Sequence, residues 1–82
     1  MKYKLKFKRQ AIKDLKILSP DVKERILAKI AAMQDNLQGD IKKLTNFTPE
    51  YRLRVGKYRV LFKIDGEILR IHRVKHRRDA YN

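Results

Sequence analysis

Apolar and charged residues alternate in some stretches of this chain and recur at helical spacing in others, and these changes of period divide it into elements. Tyr3, Leu5 and Phe7 alternate with lysines, which predicts a short strand over residues 3–7. From Arg9 the period lengthens: Ala11, Ile12, Leu15 and Leu18 make one stripe of a helix that Ser19-Pro20 interrupts. Ser19 suits the N-cap of a second, longer helix and Pro20 its first position. Val22, Ile26, Ile30, Met33 and Leu37 fall on one face of that helix, Asp21 and Glu24 complement the dipole of its first turn, and the run from Asn36 to Asp40 stops it. Residues 40–50 read as a basic connector, with Ile41, Leu44 and Phe47 spaced to clip it to the core.

Residues 51–62 are the most patterned segment. Both arms alternate, and Gly56-Lys57 fits a two-residue hairpin turn with glycine first. In that register Val55 faces Tyr58, Leu53 faces Val60 and Tyr51 faces Phe62, so one side is apolar. The other side sets Arg54 opposite Arg59, with Arg52 two residues along. Asp65-Gly66 predicts a second turn and a third strand through about Val74, with Leu69 against Phe62, Ile71 against Val60, His72 beside Arg59 and Arg70 beside Leu61. The tail from Lys75 to Asn82 reads as a basic turn. Strand, helix, helix and three strands predict one α+β domain over residues 1–82. The N-terminal strand and helical hairpin would pack on one face of a small, twisted, mainly antiparallel sheet, leaving its other face open and basic.

Charge sharpens this picture. Like charges facing each other across strands cost a few tenths of a kcal/mol up to about 1, so the Arg54–Arg59 pair suits a polyanion held between them. Lys plus Arg number 22 against 9 Asp plus Glu, a formal net charge of +13 on 82 residues, which calls for a negatively charged partner. Residues 41–82 hold twelve of the cations and four of the carboxylates, so the excess lies mostly with the hairpin and tail. A hydrophobic fraction of 43% supports a modest core. The absence of cysteine excludes disulfides and thiolate metal sites. No signal peptide and no run of about 20 apolar residues is present, so a cytoplasmic protein without a membrane span is expected.

The order of elements, the hairpin Tyr51-Arg52-Leu53-Arg54-Val55-Gly56-Lys57-Tyr58-Arg59-Val60, the strand ending Arg73-Val74 and the closing His76-Arg77-Arg78-Asp79-Ala80-Tyr81 together resemble the RelE/ParE superfamily of bacterial and archaeal toxins. The similarity covers nearly the whole chain. In the RelE branch it implies a metal-independent endoribonuclease, without cofactor, that cuts messenger RNA in the ribosomal A site and is silenced by an acidic RelB-like antitoxin from the same operon. The implied reaction is attack of a 2'-hydroxyl on the neighbouring phosphate. It needs positive charge on a dianionic phosphorane, an acceptor for the hydroxyl proton and a donor for the leaving oxygen.

By match to the family motif, Arg52, Arg54 and Arg59 would form the catalytic face, Arg77 or Lys75 the terminal basic group, and Tyr81 the aromatic that stacks on the substrate base. Lys42, Lys43, Arg70, His72, Lys75, His76 and Arg78 would contact RNA around them. RelE enzymes commonly carry lysine at one of the positions held here by Arg52 and Arg54. Arginine is a poor general base at neutral pH, which leaves His72, His76 and Lys75 for that role. Neither histidine has a ligand spacing with acidic residues, so no metal site is expected. The alternatives are a ParE-type toxin, which inhibits gyrase by protein contact without a nuclease face, and an RNA-binding module that does not cleave.

Overall fold

The computed structural model describes residues 2–81. Its elements run β1 (Lys4–Phe7), α1 (Arg9–Lys16), α2 (Pro20–Ala32), β2 (Asp40–Lys43), β3 (Tyr51–Val55), β4 (Tyr58–Asp65) and β5 (Ile68–His76). The five strands form one sheet in the order β1-β5-β4-β3-β2, with β1 parallel to β5 and the other pairs antiparallel. β1 and β2 therefore occupy opposite edges, and the two helices carry the chain from one edge to the other. Ile26, Ile30 and Met33 meet Leu53, Val60, Phe62, Leu69 and Ile71 in the core, all fully buried. Burial of each such side chain contributes about 1.5–3 kcal/mol.

The first hairpin has the expected register, with Val55 opposite Tyr58, Leu53 opposite Val60, Tyr51 opposite Phe62 and Arg54 opposite Arg59. Its turn has positive φ at Gly56 (57°), which fits the glycine-first type II′ form. Tyr51 stacks on Phe62 with ring centroids 5.6 Å apart, so this tyrosine is scaffold.

Several expectations are corrected. In α1 the buried stripe is Ala11, Asp14, Leu15, while Ile12 is 44% exposed; position 14 completes the helical spacing from Ala11 better than position 12 does. α2 ends at Ala32 rather than near Leu37. Asn36 and Leu37 adopt φ of 58° and 56°, and the Leu37 N–H donates to the Met33 carbonyl at 3.1 Å. Leu37 still packs against the core, so the apolar period marked burial correctly while a turn replaced the helix.

The connector contains an edge strand. In β2, Asp40 pairs with Arg54, Ile41 with Leu53, Lys42 with Arg52 and Lys43 with Tyr51. Four residues with two adjacent lysines are too short to show a period, and lysines are a common device for protecting an edge. The second turn is Gly66-Glu67, because Asp65 pairs with Ile68. Ile64 then faces Leu69 and Phe62 faces Ile71, after which a bulge on β5 shifts the pairing to Leu61 with Arg73, Val60 with Val74, Arg59 with Lys75 and Tyr58 with His76. His72 is the extra residue, so it does not sit beside Arg59. The core positions step from Ile71 to Val74, three residues instead of two.

Candidate functional site

Three strands and a turn meet at the arginines of the hairpin. β3 and β4 set Arg54 against Arg59, β2 brings Lys42 beside Arg52, and the turn over residues 77–81 adds Arg77 and Tyr81. These six side chains line one cleft of about 450 Å³. None of the residues that line it is acidic. The turn is tied to the hairpin by the Arg77 N–H, which donates to the Lys57 carbonyl at 2.7 Å.

The arginines divide into two kinds. Arg52 is held: its Nη1 donates to the Asp40 carbonyl at 2.8 Å and to Asp40 Oδ1 at 3.2 Å. Arg59 is also held, its Nη1 donating to the Gly56 and Tyr58 carbonyls at 2.9 Å each. The Arg54 and Arg77 side chains are exposed and make no hydrogen bond or ion pair with another described residue. Two guanidinium groups are thus oriented by the backbone, and two keep all their donors for a ligand.

An aromatic pair completes the cleft. Phe47 and Tyr81 meet edge to face with centroids 5.6 Å apart and planes at 88°, and Tyr81 remains 48% exposed. Leu44 and Thr45 add to the same wall. Leu44, Thr45 and Phe47 were not expected at the site. A large aromatic residue within the polar run Thr45-Asn46-Phe47-Thr48 was the available signal, and it was read as a core clip.

The remaining candidates lie outside this lining. Lys43 is exposed opposite Tyr51, and Arg70 pairs with Asp65 at 3.3 Å. His72 is half-buried in the bulge with its Nε2 enclosed and without a hydrogen-bond partner. Burial, with the charges of Lys8, Lys63 and Arg70 outweighing Glu50, holds its imidazole below the usual histidine range. Lys75, His76 and Arg78 border a separate pocket with Asp14, Arg73 and Asp79. Lys75 Nζ donates to the Asp79 carbonyl at 3.3 Å. His76 packs edge-on against Tyr58 at 5.5 Å and accepts the Arg78 N–H on Nδ1 at 3.2 Å.

Asp14 was missed entirely. β1 ends opposite Ile71, so the following part of β5 has no strand on that side. The Asp14 carboxylate occupies this edge, accepting the Val74 N–H at 2.9 Å, Arg73 Nε at 2.8 Å and Nη2 at 3.2 Å, and Gln10 Nε2 at 3.2 Å. Burial alone raises its carboxyl, but the hydrogen bonds from Arg73, Val74 and Gln10 outweigh it and leave the group below the ordinary carboxylate value. The same contact raises the Arg73 guanidinium further.

Known proteins share this architecture. Residues 5–81 match the family described as the ParE toxin of the type II toxin-antitoxin system, parDE. The toxin RelE3 of Methanocaldococcus jannaschii is 33% identical over 84 residues, covering 96% of both chains. Among solved structures, the RelB-RelE antitoxin-toxin complex from Methanococcus jannaschii contains a chain with a TM-score of 0.75 and 34% identity, matching 92% of this chain and 93% of that one. The toxin-antitoxin complex RelBE2 from Mycobacterium tuberculosis gives a TM-score of 0.78 at 26% identity, over 93% of this chain and 99% of that one. With sequence and fold agreeing from β1 to the terminal turn, this chain belongs to the RelE/ParE superfamily and is a toxin of a type II toxin-antitoxin system.

Proposed function

We propose that this toxin is an endoribonuclease that cuts messenger RNA in the ribosomal A site. The observation that carries the reading is the cleft in which Arg52, Arg54, Arg59, Arg77 and Lys42 surround a space bordered by Tyr81. In the reaction a 2'-hydroxyl loses its proton and its oxygen bonds to the adjacent phosphorus. The P–O5' bond breaks, giving a 2',3'-cyclic phosphate and a 5'-hydroxyl after the leaving oxygen takes up a proton. Arg54 and Arg77 bind the phosphate oxygens with free donors, while Arg52 and Arg59 present charge that needs no reorganisation. His72, His76 and Lys75 line no part of the cleft, so proton transfer from the 2'-hydroxyl falls to Lys42, the lysine of that lining. Tyr81 and Phe47 offer ring surface to an unstacked base.

The partner in the resting state is an acidic antitoxin, as the RelB-RelE complexes among the structural neighbours suggest. The toxin would act in the cytoplasm, where ribosomes are; among its described residues no helix is long and apolar enough to cross a membrane.

Translating ribosomes incubated with the purified chain, followed by mapping of 5' ends, test the reading. Cuts within the A-site codon that leave 5'-hydroxyl ends are expected. Binding without scission would favour an RNA-binding module. The ParE name of the matched family favours a second outcome: intact message with inhibited DNA supercoiling by gyrase.

A further inference from the structure

A second depression adjoins the arginine cleft. It measures about 620 Å³ and lies between α2 and the tip of the β3-β4 hairpin. Arg54 and Arg77 line both spaces, so these two side chains form a shared border between them. On the far side stand Arg25 from α2 and Lys57 from the hairpin turn, both exposed. Neither side chain makes a hydrogen bond or ion pair with another described residue. No carboxylate lines the second depression, and its remaining border is largely apolar, including Val22, Val55 and Tyr58.

We infer that Arg25 and Lys57 form a second phosphate subsite that holds the nucleotide next to the scissile one in single-stranded RNA. The inference rests on the reading of the first cleft as an RNA site. A single strand presents phosphates and bases in alternation, and each space offers both kinds of contact. Cations at its mouth meet a phosphate, and an apolar or aromatic border receives a ribose or an unstacked base. Arg54 and Arg77 stand between the two and contact the phosphate that links them. An acidic protein segment is the other polyanion that fits cations, but the apolar border beside Tyr58 and the continuity with the arginine cleft favour an extended nucleic-acid strand.

Uncleavable 2'-O-methyl RNA separates binding from chemistry. The purified chain and the double variant Arg25→Gln/Lys57→Gln are titrated by fluorescence anisotropy with a dinucleotide, which has one internal phosphate, and with a tetranucleotide, which has three. Thermal melts confirm that the variant folds, as its substitutions are on exposed positions. A loss of about 5- to 20-fold in affinity for the tetranucleotide is expected, with the dinucleotide unchanged. The slope of log K against log salt for the tetranucleotide should fall by about 1.4, near 0.7 for each cation removed. An equal loss on both oligonucleotides, or none on either, overturns the subsite while leaving the first cleft standing. If the wild-type chain binds neither, the RNA reading fails and the subsite with it. If the variant binds RNA normally but associates more slowly with an acidic antitoxin, the surface is a protein contact and the inference is wrong.

Discussion

Arg54 and Arg59 face each other across two strands, yet the side chains are not equivalent. Arg59 is braced by two backbone carbonyls of the hairpin turn, whereas Arg54 keeps all its donors. Arg54→Ala should therefore lower single-turnover cleavage of ribosome-bound message about 100-fold or more, the cost of one preorganised donor, with an unchanged melting temperature. Arg59→Ala should cost as much in rate and also about 0.5–1.5 kcal/mol in stability, measured by urea unfolding, because the turn loses its hydrogen bonds. Equal stability in the two variants would show that the brace contributes nothing. Tyr81 packs edge-on against Phe47 and exposes half its surface. Tyr81→Phe should keep most of the cleavage rate, and Tyr81→Ala should lose roughly 10- to 100-fold, which matches a stacking contribution of about 1–3 kcal/mol. A phenylalanine variant as damaged as the alanine one would assign the hydroxyl to proton transfer.

The elements were legible wherever a period ran long enough. The hairpin over residues 51–62 shows strict alternation and a glycine-first turn, and its register and the arginine pairing follow from those features alone. β2 has four residues and no such pattern, so Lys42 was expected to contact RNA, but its place beside Arg52 was not readable. The bulge in β5 was visible only as a spacing of three between Ile71 and Val74. Asp14 carries no signal in the sequence because its partners, Arg73 and Val74, are about sixty residues away. This carboxylate joins α1 to the strand that leads into the terminal turn. Asp14→Ala leaves the Val74 N–H without a partner and should cost about 1–3 kcal/mol. In a domain of this size that lowers the melting temperature by roughly 4–24 °C. Gly39 is a second such point: its φ is 131°, and a Cβ there would stand 2.8 Å from Leu53 Cδ1 in the packed core. Gly39→Ala should destabilise by about 1–3 kcal/mol in the same assay.

Across the whole molecule the excess of cations governs association and the response to acid. The acidic antitoxin proposed above would be captured by a long-range field, so its association rate should fall steeply as salt rises while its dissociation rate changes little. A flat association rate would remove steering from the account. Stability should decline on acidification in two stages. The His72 imidazole lies below its usual 6.5 in the folded state, so below that pH the unfolded chain takes up a proton that the folded chain refuses. The Asp14 carboxyl is also held below its usual 3.8, so its stabilisation is present above that value and is lost as pH falls through the folded-state pKa. His72→Asn should flatten the first decline in melting temperature and leave the second. The bulge that carries His72 also makes this codon a dispensable one in the gene. Removing it in frame would keep every arginine of the cleft and leave strict alternation, with Arg73 still opposite Leu61 and Val74 still inward opposite Val60. In a population under pressure to escape its own toxin, loss of that one triplet should be tolerated by the protein where loss of an arginine is not.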